Sequence, residues 1–187
     1  MQKILQEKKA LLVLDMINVY IYGDKPLIPI ETRSLIVSNI KQAIKSARKN
    51  HIPIIYVNSA FRYTDPIFVK YINYRDQAIE GSPESDNIKE LQPLKGDYIL
   101  KKRGYDGFWE SGLEKLLKDI KITQVFLTGC QTDCCVRETA VTAAHLGYDV
   151  YILQDCCQTS REFGQIAALR FMKTCVKGFL TVDKLKW

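Results

Sequence analysis

The chain has 187 residues, 47% hydrophobic and 26% charged, with a net charge of +6 at neutral pH. This length predicts one domain, residues 1–187, that buries a core of its own. The basic residues are mixed with acids, which favours a mildly basic surface over a nucleic-acid partner. The apolar run near the N-terminus is interrupted by Asp15 and lacks a cleavage site, so it indicates neither a signal peptide nor a membrane span. We therefore expect a cytoplasmic protein that binds neither nucleic acid nor membrane.

The first half of the chain predicts two buried strands around one amphipathic helix. "ALLVLDM", residues 10–16, is a continuous apolar run ending in an acid, which is typical of a parallel strand buried on both faces. Apolar residues recur at helical spacing over 32–49, and "IPIIYVN", residues 52–58, predicts the second strand. Residues 59–97 carry several turn signals, and irregular stretches of this length in compact domains are usually functional.

The second half continues to alternate strands with helices. Strands are predicted at 97–102, 124–129, 148–153 and within 175–185, and helices from a Ser111–Glu114 capping box onward and at 133–146 and 161–172. This alternation predicts an α/β fold, a doubly wound and mostly parallel sheet with helices on both faces. Ligands of such sheets bind beyond the carboxyl ends of the strands, so the residues that follow the strands are the candidates for function.

Six cysteines raise three possibilities. Disulfides are disfavoured in a cytosolic chain with a full-sized core, and neighbours such as Cys134 and Cys135 are poorly placed to bridge each other. A structural zinc is disfavoured because the cysteine spacing contains no CxxC pair. A nucleophilic thiol is therefore favoured, and we predict neither a metal nor another cofactor.

A cysteine nucleophile needs a base for its proton and a partner for its charge. Cys134 and Cys135 both fall in the first turn of a predicted helix, where the dipole and free amides favour an anion. Because the chain has only two histidines, we take Asp15 as the candidate base and Lys101 or Lys102 as the candidate cation. Helical phase puts Cys135 beside the buried stripe and Cys134 on a mixed face, which favours Cys135 without excluding Cys134.

Three separated segments together resemble the isochorismatase-like cysteine hydrolase superfamily: "ALLVLDMIN", "LKGDYILKKRGYDGF" and "TGCQTDCCVRETAVTAAHLGYDVYILQDCC". The resemblance covers nearly the whole chain in order. It implies a six-stranded sheet of order 3-2-1-4-5-6 and a catalytic triad of Asp15, Lys102 and Cys135. It also implies a non-proline cis peptide bond between Cys130 and Gln131, which turns an amide toward the oxyanion.

The implied reaction is hydrolysis of a C–N bond in a small-molecule amide through a thioester on Cys135. Isochorismate-type vinyl-ether hydrolysis and a catalytically idle binding protein are the alternatives. A metal-dependent nicotinamidase is disfavoured because "VNSAFRYTDPIF", after the second predicted strand, has no histidine. Members of the superfamily usually assemble as dimers or tetramers, so the resemblance implies a homodimer or homotetramer.

Loop residues near the strand ends are candidates for substrate binding. Arginine would suit a substrate that carries a carboxylate. Asp106 stands where the family pattern Tyr-Ser-Ala-Phe has its serine, which indicates that substrate contacts differ here. The candidates are Asn18, Arg62, Arg103, Tyr105, Phe108 and Trp109.

Overall fold

A computed structural model describes residues 7–71 and 78–187. The strands are β1 (Lys9–Leu14), β2 (Ile54–Ser59), β3 (Tyr98–Lys102), β4 (Gln124–Cys130), β5 (Asp149–Gln158) and β6 (Gly178–Leu180). They form one sheet in the order β3-β2-β1-β4-β5-β6, and each neighbouring pair is parallel. The predicted α/β class and strand order are confirmed.

Helices cover both faces of the sheet, as predicted. They are α1 (Asn18–Tyr22), α2 (Ile30–Lys49), α3 (Pro66–Tyr71), α4 (Leu113–Asp119), α5 (Arg137–His145) and α6 (Gly164–Met172). The buried side chains of α1 and α2 share one core with one face of the sheet, and those of α4, α5 and α6 share the core on the other face. Within the described ranges, no helix is both long and apolar enough to cross a bilayer.

Several elements differ from the sequence prediction. The helix predicted from residue 133 begins instead with a π-helical turn, Thr132–Val136, which continues into α5. The long irregular stretch contains α3 and two short 3-10 turns, and α1 was not predicted. These pieces have three to six residues, too few for an apolar period to reveal them.

The predicted capping box at the start of α4 is wrong. The residue before this helix is Gly112, in the left-handed conformation with φ of 78°. The Ser111 hydroxyl accepts a hydrogen bond from the Leu113 amide at 3.1 Å, while Glu114 pairs with Lys118 one turn ahead instead of reaching back. With Gly112 at the N-cap, Ser111 precedes the cap and Glu114 is the second helical residue, so the pair does not occupy the N-cap and third helical positions of a capping box.

Gly129 lies where β4 passes the end of β1. Its φ is +115°, and a Cβ atom there would lie 2.0 Å from the carbonyl oxygen of Leu14. We expect Gly129→Ala to lower the free energy of unfolding by more than about 4 kcal/mol, because the clash is with backbone and adds to left-handed strain. The control Gly112→Ala, with φ of +78° and nothing within 4 Å of its Cβ, should lose only about 1–2 kcal/mol. Urea unfolding measures both losses; equal losses would show that the close approach does not require glycine.

Candidate active site

The carboxyl ends of three strands bring an acid, a cation and a thiol together. Asp15 follows β1, Lys102 ends β3, and Cys135 lies in the π-helical turn after β4. Lys102 Nζ is 3.0 Å from Asp15 Oδ2 and 3.4 Å from Cys135 Sγ. Asp15 and Lys102 are fully buried and Cys135 is 7% exposed. The three residues that the resemblance indicates therefore form one buried cluster.

Contacts to both its backbone and its side chain hold Asp15 in place. Its φ of 54° is uncommon for a residue other than glycine and turns the chain sharply as β1 ends. Its own amide donates to the Val57 carbonyl at 3.2 Å, and the Cys130 thiol donates to the Asp15 carbonyl at 3.2 Å. The Ser59 amide donates to Asp15 Oδ1 at 2.6 Å. Only Oδ2 is thus directed toward Lys102.

Lys102 is a fixed, buried cation. Its Nζ donates to Ser59 Oγ at 2.8 Å, to the Gly104 carbonyl at 2.8 Å and to the Cys135 sulfur at 3.4 Å, three acceptors for the three hydrogens of an ammonium. Burial by itself would lower the pKa of Lys102, but the negative charges of Asp15 and Cys135 outweigh burial and raise it. The lysine therefore stays charged throughout the physiological pH range.

Asp15 Oδ2 accepts no hydrogen bond from any residue in the described ranges. It touches the Lys102 ammonium at 3.0 Å as an ion pair, but the three ammonium hydrogens are directed at other acceptors. The oxygen is thus stabilised by charge and keeps its lone pairs free. This is what a proton acceptor requires.

The two adjacent thiols are equally buried, at 7% exposure each. The mixed face predicted for Cys134 is therefore buried as well, because an α-helical phase does not apply within a π-helical turn. Cys135, which the phase favoured, is the thiol that contacts Lys102. A hydrogen bond joins the two side chains; it raises the pKa of Cys135, together with burial and the charge of Asp15. The same bond, with Lys102 and Arg161, lowers the pKa of Cys134. Cys135 is therefore a protonated thiol that needs a base.

The turn that carries Cys135 is tied to the loop after β3. The peptide bond between Cys130 and Gln131 is cis, at the position that the resemblance indicates. Thr139 Oγ1 donates to the Cys135 carbonyl at 2.6 Å and accepts from the Gly107 amide at 2.8 Å. A Cβ on Gly107 would lie 2.8 Å from that oxygen, so this loop position has room only for glycine.

Three predicted substrate-binding side chains contact the loop before β3. Arg62 and Arg103 both pair with Glu80, at 2.7 and 2.8 Å, and their hydrogen bonds lower the pKa of Glu80 to about 2. Asn18 donates to the Pro83 carbonyl at 2.9 Å. These contacts fasten the loop before β3 to the carboxyl edge of the sheet.

Tyr105 and Trp109, with Arg103, line a cavity of about 570 Å³. Phe108 does not line it: its ring stacks on Tyr148 at 6.4 Å and packs against the core under α4 and α5. The lining does not include the three clustered residues, which are nearly inaccessible. Gly104 connects the two regions, because it lines the cavity and its carbonyl binds Lys102.

The sequence interpretation missed two residues beside the cluster. Ser59, the last residue of β2, contacts both Asp15 and Lys102. Arg161 follows β5, with Nη1 3.2 Å from Asp133 Oδ2 and a hydrogen bond to Cys134. Both lie at carboxyl ends of strands, so the rule for parallel sheets could have found them.

Asp106 has a structural role in this chain. Its Oδ2 accepts from the Thr142 hydroxyl at 2.7 Å and its Oδ1 from the Phe108 amide at 2.9 Å. It therefore fastens the loop after β3 to α5.

In the parts of the chain that the structure describes, no three His, Cys, Asp or Glu side chains are grouped as metal ligands.

Comparison with known proteins identifies the family. The Isochorismatase domain matches residues 9–184. Ureidoacrylate amidohydrolase RutB of Serratia proteamaculans is 30% identical over 191 residues, which cover 90% of this chain and 77% of that protein. An isochorismatase-like hydrolase of Alkaliphilus metalliredigens has 31% identity and a TM-score of 0.84, over 95% of this chain and 96% of the other.

A solved structure with a named activity is similar as well. N-carbamoylsarcosine amidase of Thermoplasma acidophilum superposes with a TM-score of 0.85 at 26% identity, over 96% of this chain and 99% of that one. The domain match, the 30% identical relative and the shared fold agree over nearly the full length of the chain. The protein belongs to the isochorismatase family of hydrolases.

Proposed function

We propose that this protein is a cysteine amidohydrolase that cleaves a C–N bond of a small ureido or carboxamide substrate through an acyl-enzyme on Cys135. The observation that carries the proposal is the buried cluster in which Lys102 contacts both Asp15 and Cys135 while Asp15 Oδ2 accepts no hydrogen bond among the described residues. Two relatives with named activities, ureidoacrylate amidohydrolase and N-carbamoylsarcosine amidase, support the class of substrate.

In the first step, Asp15 Oδ2 takes the proton of the Cys135 thiol. The raised pKa of Cys135, caused by its hydrogen bond to Cys134, by burial and by Asp15, means that the thiol does not ionise unaided at neutral pH. A carboxylate held beside it removes the proton as the sulfur attacks. Lys102 stays positively charged, so it stabilises the single negative charge both on the carboxylate before the transfer and on the sulfur after it.

The sulfur then adds to the substrate carbonyl to form a tetrahedral intermediate. Its oxyanion is stabilised by the backbone amides of Cys135 and Gln131. The protonated Asp15 delivers its proton to the leaving amine or ammonia, and an acyl-cysteine remains, a thiocarbamate when the substrate is a ureido compound. Water, deprotonated by Asp15, hydrolyses it and restores the thiol.

Arg161 is the candidate for recognising an acidic substrate. Its side chain is 55% exposed, pairs with Asp133 and hydrogen bonds to Cys134, which places a guanidinium next to the thiol pair. Arg62 and Arg103 instead share the Glu80 carboxylate, which holds both guanidinium groups at the loop before β3. Arginine binds carboxylates in a two-pronged geometry.

An acyl adduct on Cys135 is the expected result of incubating the protein with its substrate class. We expect N-carbamoyl amino acids to give a mass increase on the tryptic peptide 122–137, since the proposed intermediate is covalent. The measurement is acid-quenched peptide mass spectrometry with fragmentation to locate the modified cysteine. Neutral ureas and simple carboxamides of similar size are the matched compounds.

The location of the adduct decides the proposal. An adduct on Cys135 that is lost in Cys135→Ala and kept in Cys134→Ala supports it. Turnover without any adduct under rapid quenching, or an adduct on Cys134, contradicts the assigned nucleophile.

A further inference from the structure

We propose that Ser59 is a positioning residue for the nucleophile: its hydroxyl holds one hydrogen of the Lys102 ammonium, so that Asp15 Oδ2 stays free and another ammonium hydrogen stays directed at Cys135. The inference rests on the proposed function, because it assigns Ser59 a task in activating the same thiol.

Ser59 contacts both members of the buried ion pair. It is 1% exposed, ends β2 and lies opposite Lys102 in the register of β2 with β3. Its amide donates to Asp15 Oδ1 at 2.6 Å, and its hydroxyl oxygen accepts from Lys102 Nζ at 2.8 Å. The amide contact would survive replacement by alanine, whereas the hydroxyl contact would not.

The hydroxyl is itself oriented. Ser59 also forms a side-chain hydrogen bond with Tyr20, a residue of α1 that is 6% exposed. Since the serine oxygen accepts from Lys102, its hydrogen is the one available for Tyr20. This arrangement keeps a lone pair of Ser59 directed at the ammonium.

Without the Ser59 hydroxyl, one ammonium hydrogen would lose its acceptor inside the protein. A buried, charged donor without a partner is strongly unfavourable. Asp15 Oδ2, 3.0 Å from Nζ and without a hydrogen bond among the described residues, is a suitable new acceptor. Lys102 would turn toward the carboxylate and away from the sulfur 3.4 Å away, so the Cys135 thiolate would lose stabilisation.

The expected result of Ser59→Ala is therefore a change in the acidity of Cys135. We expect the midpoint of its alkylation by iodoacetamide to move up by about one pH unit, and the rate at neutral pH to fall about tenfold. Rates are measured from pH 6 to the highest pH at which each variant stays folded, on peptide 122–137, with fragmentation separating Cys135 from Cys134. The titratable groups in the described ranges that interact with Cys135 all remain in the variant: Asp15, Tyr20, Lys102, Tyr105 and Cys134.

Ser85→Ala is the matched control. Ser85 is 8% exposed and its hydroxyl donates to the Ser82 carbonyl at 2.8 Å, so its hydrogen bond lies within its own turn and not on the ammonium. It should leave the midpoint unchanged, while Ser59→Thr, which keeps a hydroxyl, should restore most of the rate. If threonine does not fit the buried site, the midpoint of Ser59→Ala decides alone.

An unchanged midpoint in a folded Ser59→Ala protein would overturn the inference, even if its thermal stability drops. Failure of the proposed function has a different signature. Full hydrolytic activity in Cys135→Ala would remove the nucleophile assignment, while the alkylation midpoints would still report whether Ser59 positions Lys102.

Discussion

Replacing Cys135 by alanine is expected to lower kcat for the amide substrate by at least about 10⁴-fold, because a covalent mechanism has no substitute for the attacking sulfur. The side chain is small and already close to alanine in volume, so the fold should persist. The measurement is steady-state hydrolysis of the compound that gives the adduct, with the melting temperature of each variant as a check on folding.

Cys134→Ala is the control for this experiment because the neighbouring thiol shares the burial and the hydrogen bond of the pair. We expect it to change kcat by less than about tenfold, since Cys134 tunes the acidity of Cys135 and does not form the acyl-enzyme. Full amide hydrolysis by Cys135→Ala would contradict the covalent mechanism, whereas hydrolysis of a vinyl ether that Cys135→Ala retains would favour the isochorismate-type reaction. A wild-type protein that binds small amides without turnover or adduct would favour a binding protein.

The fold was predictable because its signals are local and strong. Unbroken apolar runs mark strands buried on both faces, and each is followed by a helix, an alternation that leads to a parallel sheet with right-handed crossovers. Since parallel strands end at one edge, Asp15 and Lys102 could be expected near the turn that holds Cys135. The choice of Cys135 over Cys134, and of Lys102 over Lys101, came from the family resemblance.

Other features depend on contacts between distant segments and were not predictable. The π-helical turn changes the phase of two cysteines, so Cys134 is buried although periodicity assigned it to a mixed face. The position of Phe108 in a loop after a strand predicted a pocket residue, but its ring stacks on the ring of Tyr148 against the core. The partner of Arg103, Glu80, lies 23 positions away in a loop without a periodic pattern.

Lys102→Met is expected both to abolish activity and to lower the free energy of unfolding by about 3–5 kcal/mol at neutral pH, because it leaves the Asp15 carboxylate buried without its cation. Methionine is unbranched and similar in length, so cavity formation contributes little to the loss. Chemical denaturation measures the stability, and iodoacetamide alkylation of Cys135 measures the thiol. A variant as stable as the wild type would show that Asp15 and Lys102 do not depend on each other as a buried ion pair.

The double variant Asp15→Asn with Lys102→Met separates folding from chemistry. Removing both charges together removes the uncompensated carboxylate, so we expect the double variant to recover at least half of the stability that Lys102→Met loses. Activity should stay absent, since neither the base nor the cation beside Cys135 remains. The introduced asparagine could still accept the Ser59 amide through its side-chain oxygen, the contact now made by Asp15 Oδ1 at 2.6 Å. Recovery of stability without activity would show that the buried pair is retained for its effect on the thiol. A double variant no more stable than Lys102→Met would instead indicate that the pair holds the edge of the sheet together.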